Sequence, residues 1–213
     1  MPFSAMALVA GAITLLLGTL LLPTGDGGAA ATLRVVQEED QRAITVAVMF
    51  CASSVGLLMG IPSLLVLFPR KGRRIGIAAV AMMVVAGAGL AGFGMLLAFF
   101  RALAIEDAVV PATFEKAASE SGFQAMLLVW VASFYLFELL LAIAVLRART
   151  VPVWIPVLLV LHAALFFVAD YLPDGVSRWL ILLTAVGLSG LAVAANQEAD
   201  RDAGIGPLVL GRR

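Results

Sequence analysis

The chain has 213 residues, 62% of them hydrophobic and 13% charged, with a mean hydropathy of +1.07 and a formal net charge of +0. A water-soluble domain is about half apolar and about a quarter charged, so this composition excludes a soluble globular domain and puts most of the chain in lipid. Continuous apolar runs without period-two alternation also exclude a membrane β-barrel, whose strands alternate between lipid and lumen.

Six apolar runs, about residues 3–22, 43–68, 75–103, 123–146, 152–169 and 179–195, approach or reach the roughly 20 residues that cross about 30 Å of hydrocarbon. With no water in the bilayer core, backbone groups are satisfied within each segment, which dictates helices. The expectation is an all-α polytopic membrane bundle of six transmembrane helices, forming a single membrane domain over residues 1–213.

The first run, FSAMALVAGAITLLLGTLLL, lacks a leading Lys or Arg and is longer than a signal-peptide core, so it reads as a retained helix. A Gly-rich break over residues 23–28 follows, and Thr32 is placed to cap a helix that continues through TLRVVQEEDQRAITV into the second run. In that stretch Leu33, Val36 and Asp40 share a face, while Glu38, Glu39 and Gln41 make a polar one. The second run contains the lone cysteine, Cys51, a small packing residue that leaves no intrachain disulfide. It also holds Pro62, where a kink is expected.

The third run carries Gly87, Gly89 and Gly92 in the spacing G-x-G-x-x-G, but inside a continuous apolar run and not at a strand-turn-helix junction. The glycines therefore read as helix contacts, with Ala88 and Gly92 spaced for close approach of two backbones. Between the third and fourth runs, residues 104–122 suggest a short helix beginning at Pro111 or Thr113 and ending at Gly122, covering one mouth of the bundle. Beyond the fifth run, PDG makes a tight turn at which Asp170 and Arg178 are placed to pair, and the tail over residues 197–213 is short and expected to be poorly ordered.

The connections alternate in charge. One side collects Arg70, Lys71, Arg73, Arg74, Arg147, Arg149, Arg201, Arg212 and Arg213 against Glu198, Asp200 and Asp202. The other collects Arg34, Arg42, Arg101, Lys116 and Arg178 against ten carboxylates. By the positive-inside rule both termini are cytoplasmic. Trp154 and Trp179 stand at opposite ends of their runs, as interfacial anchors do.

Only one carboxylate and the single histidine lie deep in apolar runs. Glu138 precedes Arg149 by 11 residues and His162 follows it by 13, so a hairpin about that basic turn brings them to similar depth. An ionisable group within a span costs about 2.5 kcal/mol or more and marks a functional candidate. Glu138 and His162 suit a proton relay or ligand site, and the preferred reading over it is an interhelical bond fixing the hairpin register. Tyr135, one turn before Glu138, is placed to join either arrangement.

Other chemistry is poorly supplied. GLSG at residues 187–190 together with His162 resembles the serine and histidine of rhomboid proteases, but in reversed chain order, and that reading is rejected. The single His, single Cys and scattered acids give no metal-ligand cluster and no haem site, so no metal, cofactor or enzymatic activity is expected. The expected partners are the lipid bilayer and either a second copy of the chain or another membrane protein, with no nucleic acid.

LLLAIAVLRARTVPVWIPVLL at residues 139–159 and LLMGIPSLLVLFPRKGRRIGIAA at residues 57–79 resemble a large group of uncharacterised six-span integral membrane proteins of actinobacteria and other bacteria. That resemblance implies fold and a bacterial plasma-membrane location, and no activity. Twelve arginines against two lysines fit a GC-rich genome of that kind. The function expected from the sequence is an interaction, sensory or envelope role, with a small-solute or proton-coupled transporter using Glu138 and His162 as the alternative.

Overall fold

The computed structural model describes residues 2–23, 29–68, 71–106, 110–171 and 174–202. All regular structure among them is helical. The helices are α1 (Pro2–Leu21), α2 (Ala29–Glu38), α3 (Asp40–Met59), α4 (Ile61–Val66), α5 (Arg73–Ile105), α6 (Pro111–Ala118), α7 (Ser121–Ala148), α8 (Trp154–Leu165), the single turn α9 (Asp174–Ser177) and α10 (Ile181–Asp202). Short 3-10 turns, Phe166–Tyr171 and Arg178–Leu180, flank α9.

Five helical stretches are long and apolar enough to cross a membrane: Pro2–Leu21, Asp40–Val66, Arg73–Ile105, Ser121–Ala148 and Arg178–Arg201. They are apolar all round, yet only 33% to 44% of each apolar window is buried within the protein. Phe3, Met6, Val55, Met95, Leu128 and Phe167 all stand exposed. Helices of that character belong in the bilayer or a large core, and the bundle has no second layer over these faces.

The fifth apolar run differs from the expected full span. Its α-helix has 12 residues, about 18 Å at 1.5 Å per residue, and the chain then tightens into the six-residue 3-10 turn Phe166–Tyr171. Pro152 and Pro156 account for the late start, because proline is tolerated only in the first helical turn, which places the N-terminus at Trp154.

Around the bundle, α1 packs on α3, α3 on α5, α5 on α7, α7 on α8, α8 on α10, and α10 returns to α1. The helices thus close a ring in chain order, and α4 reaches across to α10 and α1. The core is built from Leu8, Leu64, Met83, Phe137, Leu159 and Leu188, all nearly inaccessible. At one end, α2, α5 and α6 bring Leu33, Phe100, Ala104 and Phe114 together, and Glu115 accepts a hydrogen bond from the backbone N–H of Ala30 at 2.9 Å. At the other end, Thr150 Oγ1 donates to the Leu67 carbonyl at 3.1 Å, tying the two basic turns together.

Several local expectations are revised. Thr32 lies inside α2 and does not cap it, and the expected continuous helix breaks at Glu39, whose φ is −111° and ψ 47°. The break lets Asp40 start α3, a favourable position for a carboxylate beside the helix dipole. There Asp40 receives Arg101 twice, through its backbone carbonyl at 3.0 Å and its carboxylate at 2.7 Å. The kink expected at Pro62 is realised two residues earlier, where Gly60 ends α3 and Pro62 enters the first turn of α4. The short helix α6 does begin at Pro111, but it ends at Ala118, and Gly122 belongs to α7.

Gly92 makes no close helix contact, since a Cβ there would meet nothing within 4 Å. Two helix backbones do meet closely between α1 and α3: a Cβ on Gly11 would lie 2.6 Å from the Leu57 nitrogen, and one on Gly56 2.7 Å from the Gly11 Cα. Beside this contact, Ser53 donates to the Gly11 carbonyl at 2.8 Å and Ser54 to the Gly87 carbonyl at 2.7 Å. Two adjacent hydroxyls thus join α3 to helices on both sides, as small and polar residues do in bilayers. The Asp170 side chain and the tail beyond residue 202, about which the sequence raised expectations, lie outside what is described.

Candidate functional site

The three helices α7, α8 and α10 each turn one stripe toward the ring interior. On α7 the stripe includes Phe137, Glu138, Leu141 and Val145; on α8 it is Ile155, Leu159, His162 and Ala163. On α10 it runs through Thr184, Leu188, Leu191 and Ala195. Spacings of three and four residues keep these side chains on one helix face, so Glu138, His162 and Thr184 occupy positions that leucine or alanine would otherwise fill.

There the three polar side chains meet. Glu138 is fully buried, Thr184 likewise, and the His162 side chain is only 6% exposed. Glu138 Oε2 and His162 Nδ1 lie 2.7 Å apart, and Thr184 Oγ1 donates to Glu138 Oε1 at 2.5 Å. Each carboxyl oxygen therefore has one partner, from a different helix. No fully buried side-chain nitrogen or oxygen among the described residues is left without a hydrogen-bond partner.

A lone buried charge costs several kcal/mol, whereas an interhelical hydrogen bond in a bilayer returns about 1 kcal/mol. Two such bonds alone do not offset a bare carboxylate. The 2.7 Å contact joins a carboxyl oxygen to an imidazole nitrogen whose donor or acceptor role depends on the tautomer.

Aromatic rings jacket the cluster. The Tyr135 ring lies on His162, with centroids 5.4 Å apart and planes at 30°, and on Phe166 at 4.2 Å. Phe134 meets His162 edge-on at 6.3 Å. Tyr135 thus joins the site through its ring face, and no hydrogen bond links its hydroxyl to Glu138 or His162. Toward the end of α8, a cavity of about 130 Å³ is walled by Thr19, Tyr135, His162, Phe166 and Arg178 among others.

The sequence placed Glu138 and His162 together and the structure brings them into contact; Thr184 it did not single out. A depth count about the other turn does find it, since His162 lies 8 residues before Asp170 and Thr184 lies 6 after Arg178. Ser189, of the rejected protease pattern, instead lines an apolar groove with Trp154 and Val193. Among the described residues no group of three or more His, Cys, Asp or Glu side chains is placed to hold a metal ion.

Fold and site together define an all-α bundle with five helices long and apolar enough for a membrane, and one ionisable cluster sealed between three neighbouring helices. Comparisons with protein-family models, with curated proteins and with solved structures find no match to the chain.

Proposed function

We propose that the chain is a six-span protein of a bacterial plasma membrane, with both termini cytoplasmic and α8 as the short sixth span. Its role in this reading is non-enzymatic, in interaction, sensing or envelope organisation, and Glu138, His162 and Thr184 are the clasp that closes its helical ring. The observation that carries the reading is the enclosure of Glu138, whose two oxygens each take one partner, from α8 and from α10, in a position of zero exposure. Each oxygen keeps a free lone pair, but at zero exposure behind α8 and α10 a solute has no open path to it. The resemblance at residues 57–79 and 139–159 supports the bacterial membrane setting.

A second reading, proton-coupled transport, is favoured by the cavity that His162 helps to wall, since the same imidazole touches Glu138 on one side and this space on the other. Purified protein in liposomes carrying an interior pH dye separates the two. The clasp reading expects no proton flux above protein-free liposomes, and reduced recovery of folded protein for Glu138→Ala and His162→Ala. A pH-dependent flux that Glu138→Gln abolishes while the variant stays folded would replace the clasp with the relay.

A further inference from the structure

The two basic turns form a cleft. Lys71 and Gly72, at the start of α5, face Arg147 and Arg149, at the end of α7, across a space of about 470 Å³ that Leu146 also lines. The turns are held in fixed relation by the Thr150 to Leu67 hydrogen bond and by the approach of Gly72 to α7, where a Cβ would lie 2.5 Å from the Ala144 carbonyl oxygen. Gly72 meets this approach in the left-handed conformation, φ 79°.

Three features make this cleft electrostatically incomplete. Arg42, Arg101 and Arg201 each hold a carboxylate, but among the described residues no carboxylate pairs with Lys71, Arg73, Arg74, Arg147 or Arg149. Second, α5 begins with Arg73 and Arg74, has no acidic residue in its first turn, and has no side-chain cap on its leading N–H groups. Cations at the positive end of a helix dipole are unfavourable, and an anion there relieves both the dipole and the uncapped donors. Third, Arg149 adopts the left-handed conformation, φ 58°, at the helix end where glycine is usual.

We propose that this cleft binds the phosphate of an anionic phospholipid headgroup, with exposed Leu146 and Ile143 lying along its acyl chains. Basic pockets between helices at a membrane face recognise such headgroups, with each cation near the surface contributing about a fivefold gain in affinity. The inference rests on the membrane placement proposed above and is independent of the clasp.

The test uses full-length protein solubilised from the membrane fraction in a neutral detergent. Its unfolding midpoint is followed while phosphatidylglycerol, phosphatidylcholine or inorganic phosphate is titrated, for the wild type and for Lys71→Gln combined with Arg147→Gln. The expected result is saturable stabilisation by phosphatidylglycerol, weakened by salt, and an apparent affinity roughly 25-fold lower in the double variant. Glutamines in place of Arg34 and Lys116, outside the cleft, leave the affinity unchanged. Equal stabilisation by phosphatidylcholine, insensitivity to salt, or an unchanged double variant would overturn the site. Equal stabilisation by inorganic phosphate would overturn the lipid as its source. Should the double variant not fold, the headgroup and salt dependence of the wild type decide alone. Absence of the protein from the membrane fraction would defeat the membrane placement itself, before any lipid is added.

Discussion

Glu138 and His162, 24 residues apart in sequence, meet at 2.7 Å across the α7–α8 hairpin, with both side chains shut away from solvent. Thr184 completes the contact from α10, so one carboxyl group links three consecutive members of the ring. Loss of the carboxyl leaves two buried polar groups without partners, each costing about 1 to 3 kcal/mol. Glu138→Ala is therefore expected to lower stability by about 3 kcal/mol, and Glu138→Gln and Thr184→Val by about 1 kcal/mol each. Unfolding midpoints in a fixed detergent check the ranking, and equal loss in all three variants would contradict it.

The contact of α1 with α3 depends on Gly11 and Gly56, where any Cβ collides with backbone of the facing helix. Gly11→Ala and Gly56→Ala are each expected to cost about 1 to 3 kcal/mol through forced separation of the helices. Gly92→Ala, with nothing within 4 Å of the new methyl group, is expected to be neutral or to stabilise by up to about 1 kcal/mol from helix propensity. The same unfolding assay measures all three, and a Gly92→Ala as damaging as Gly11→Ala would refute the assignment of the contact.

These glycines also mark where sequence reasoning stopped. The helices are apolar on every face, so no amphipathic stripe announces their rotation about their own axes. The glycine pattern at Gly87, Gly89 and Gly92 was conspicuous as letters, while the contact was made by Gly11 and Gly56, whose runs also hold Gly18 and Gly60 without that dense spacing. Glu138 and His162 were legible because ionisable groups are rare in apolar runs and the basic turn fixes their depth. Thr184 was not, because hydroxyls in membrane helices commonly bond back to their own helix. Thr14, Thr19, Thr45 and Ser133 all do so here. The existence of the apolar runs was fixed by composition; α8 is short mainly because the chain tightens into a 3-10 turn at Phe166, with a smaller loss at its proline-bounded start.

Glu120 caps α7, its carboxylate accepting from the Phe123 N–H at 2.8 Å. The backbone N–H groups of Gly122 and then Phe123 hold its carboxyl below the ordinary carboxylate range. A group lowered in this way stabilises the folded form above its unfolded pKa, and that contribution is lost as pH falls through the lowered folded value. Amide exchange at Gly122 and Phe123 is expected to be slow at neutral pH and to accelerate under acid, relative to the rest of α7. In Glu120→Gln this pH dependence should disappear; its persistence would assign the fraying to another group.

Charge placement predicts the orientation. In a Cys51→Ala background, a cysteine replacing Lys71 is expected to resist impermeant thiol reagents in intact cells and to react after permeabilisation. A cysteine replacing Lys116, on α6 at the other end, is expected to react in both. The reverse pattern would invert the topology.

The most direct measurement of the clasp is a double-mutant cycle on Glu138→Gln and His162→Ala, read as unfolding free energy in one detergent. If the 2.7 Å contact holds α7 to α8, the two losses fall short of additive by about 1 kcal/mol or more. Additivity within about 0.5 kcal/mol, the behaviour of independent sites, would contradict the clasp.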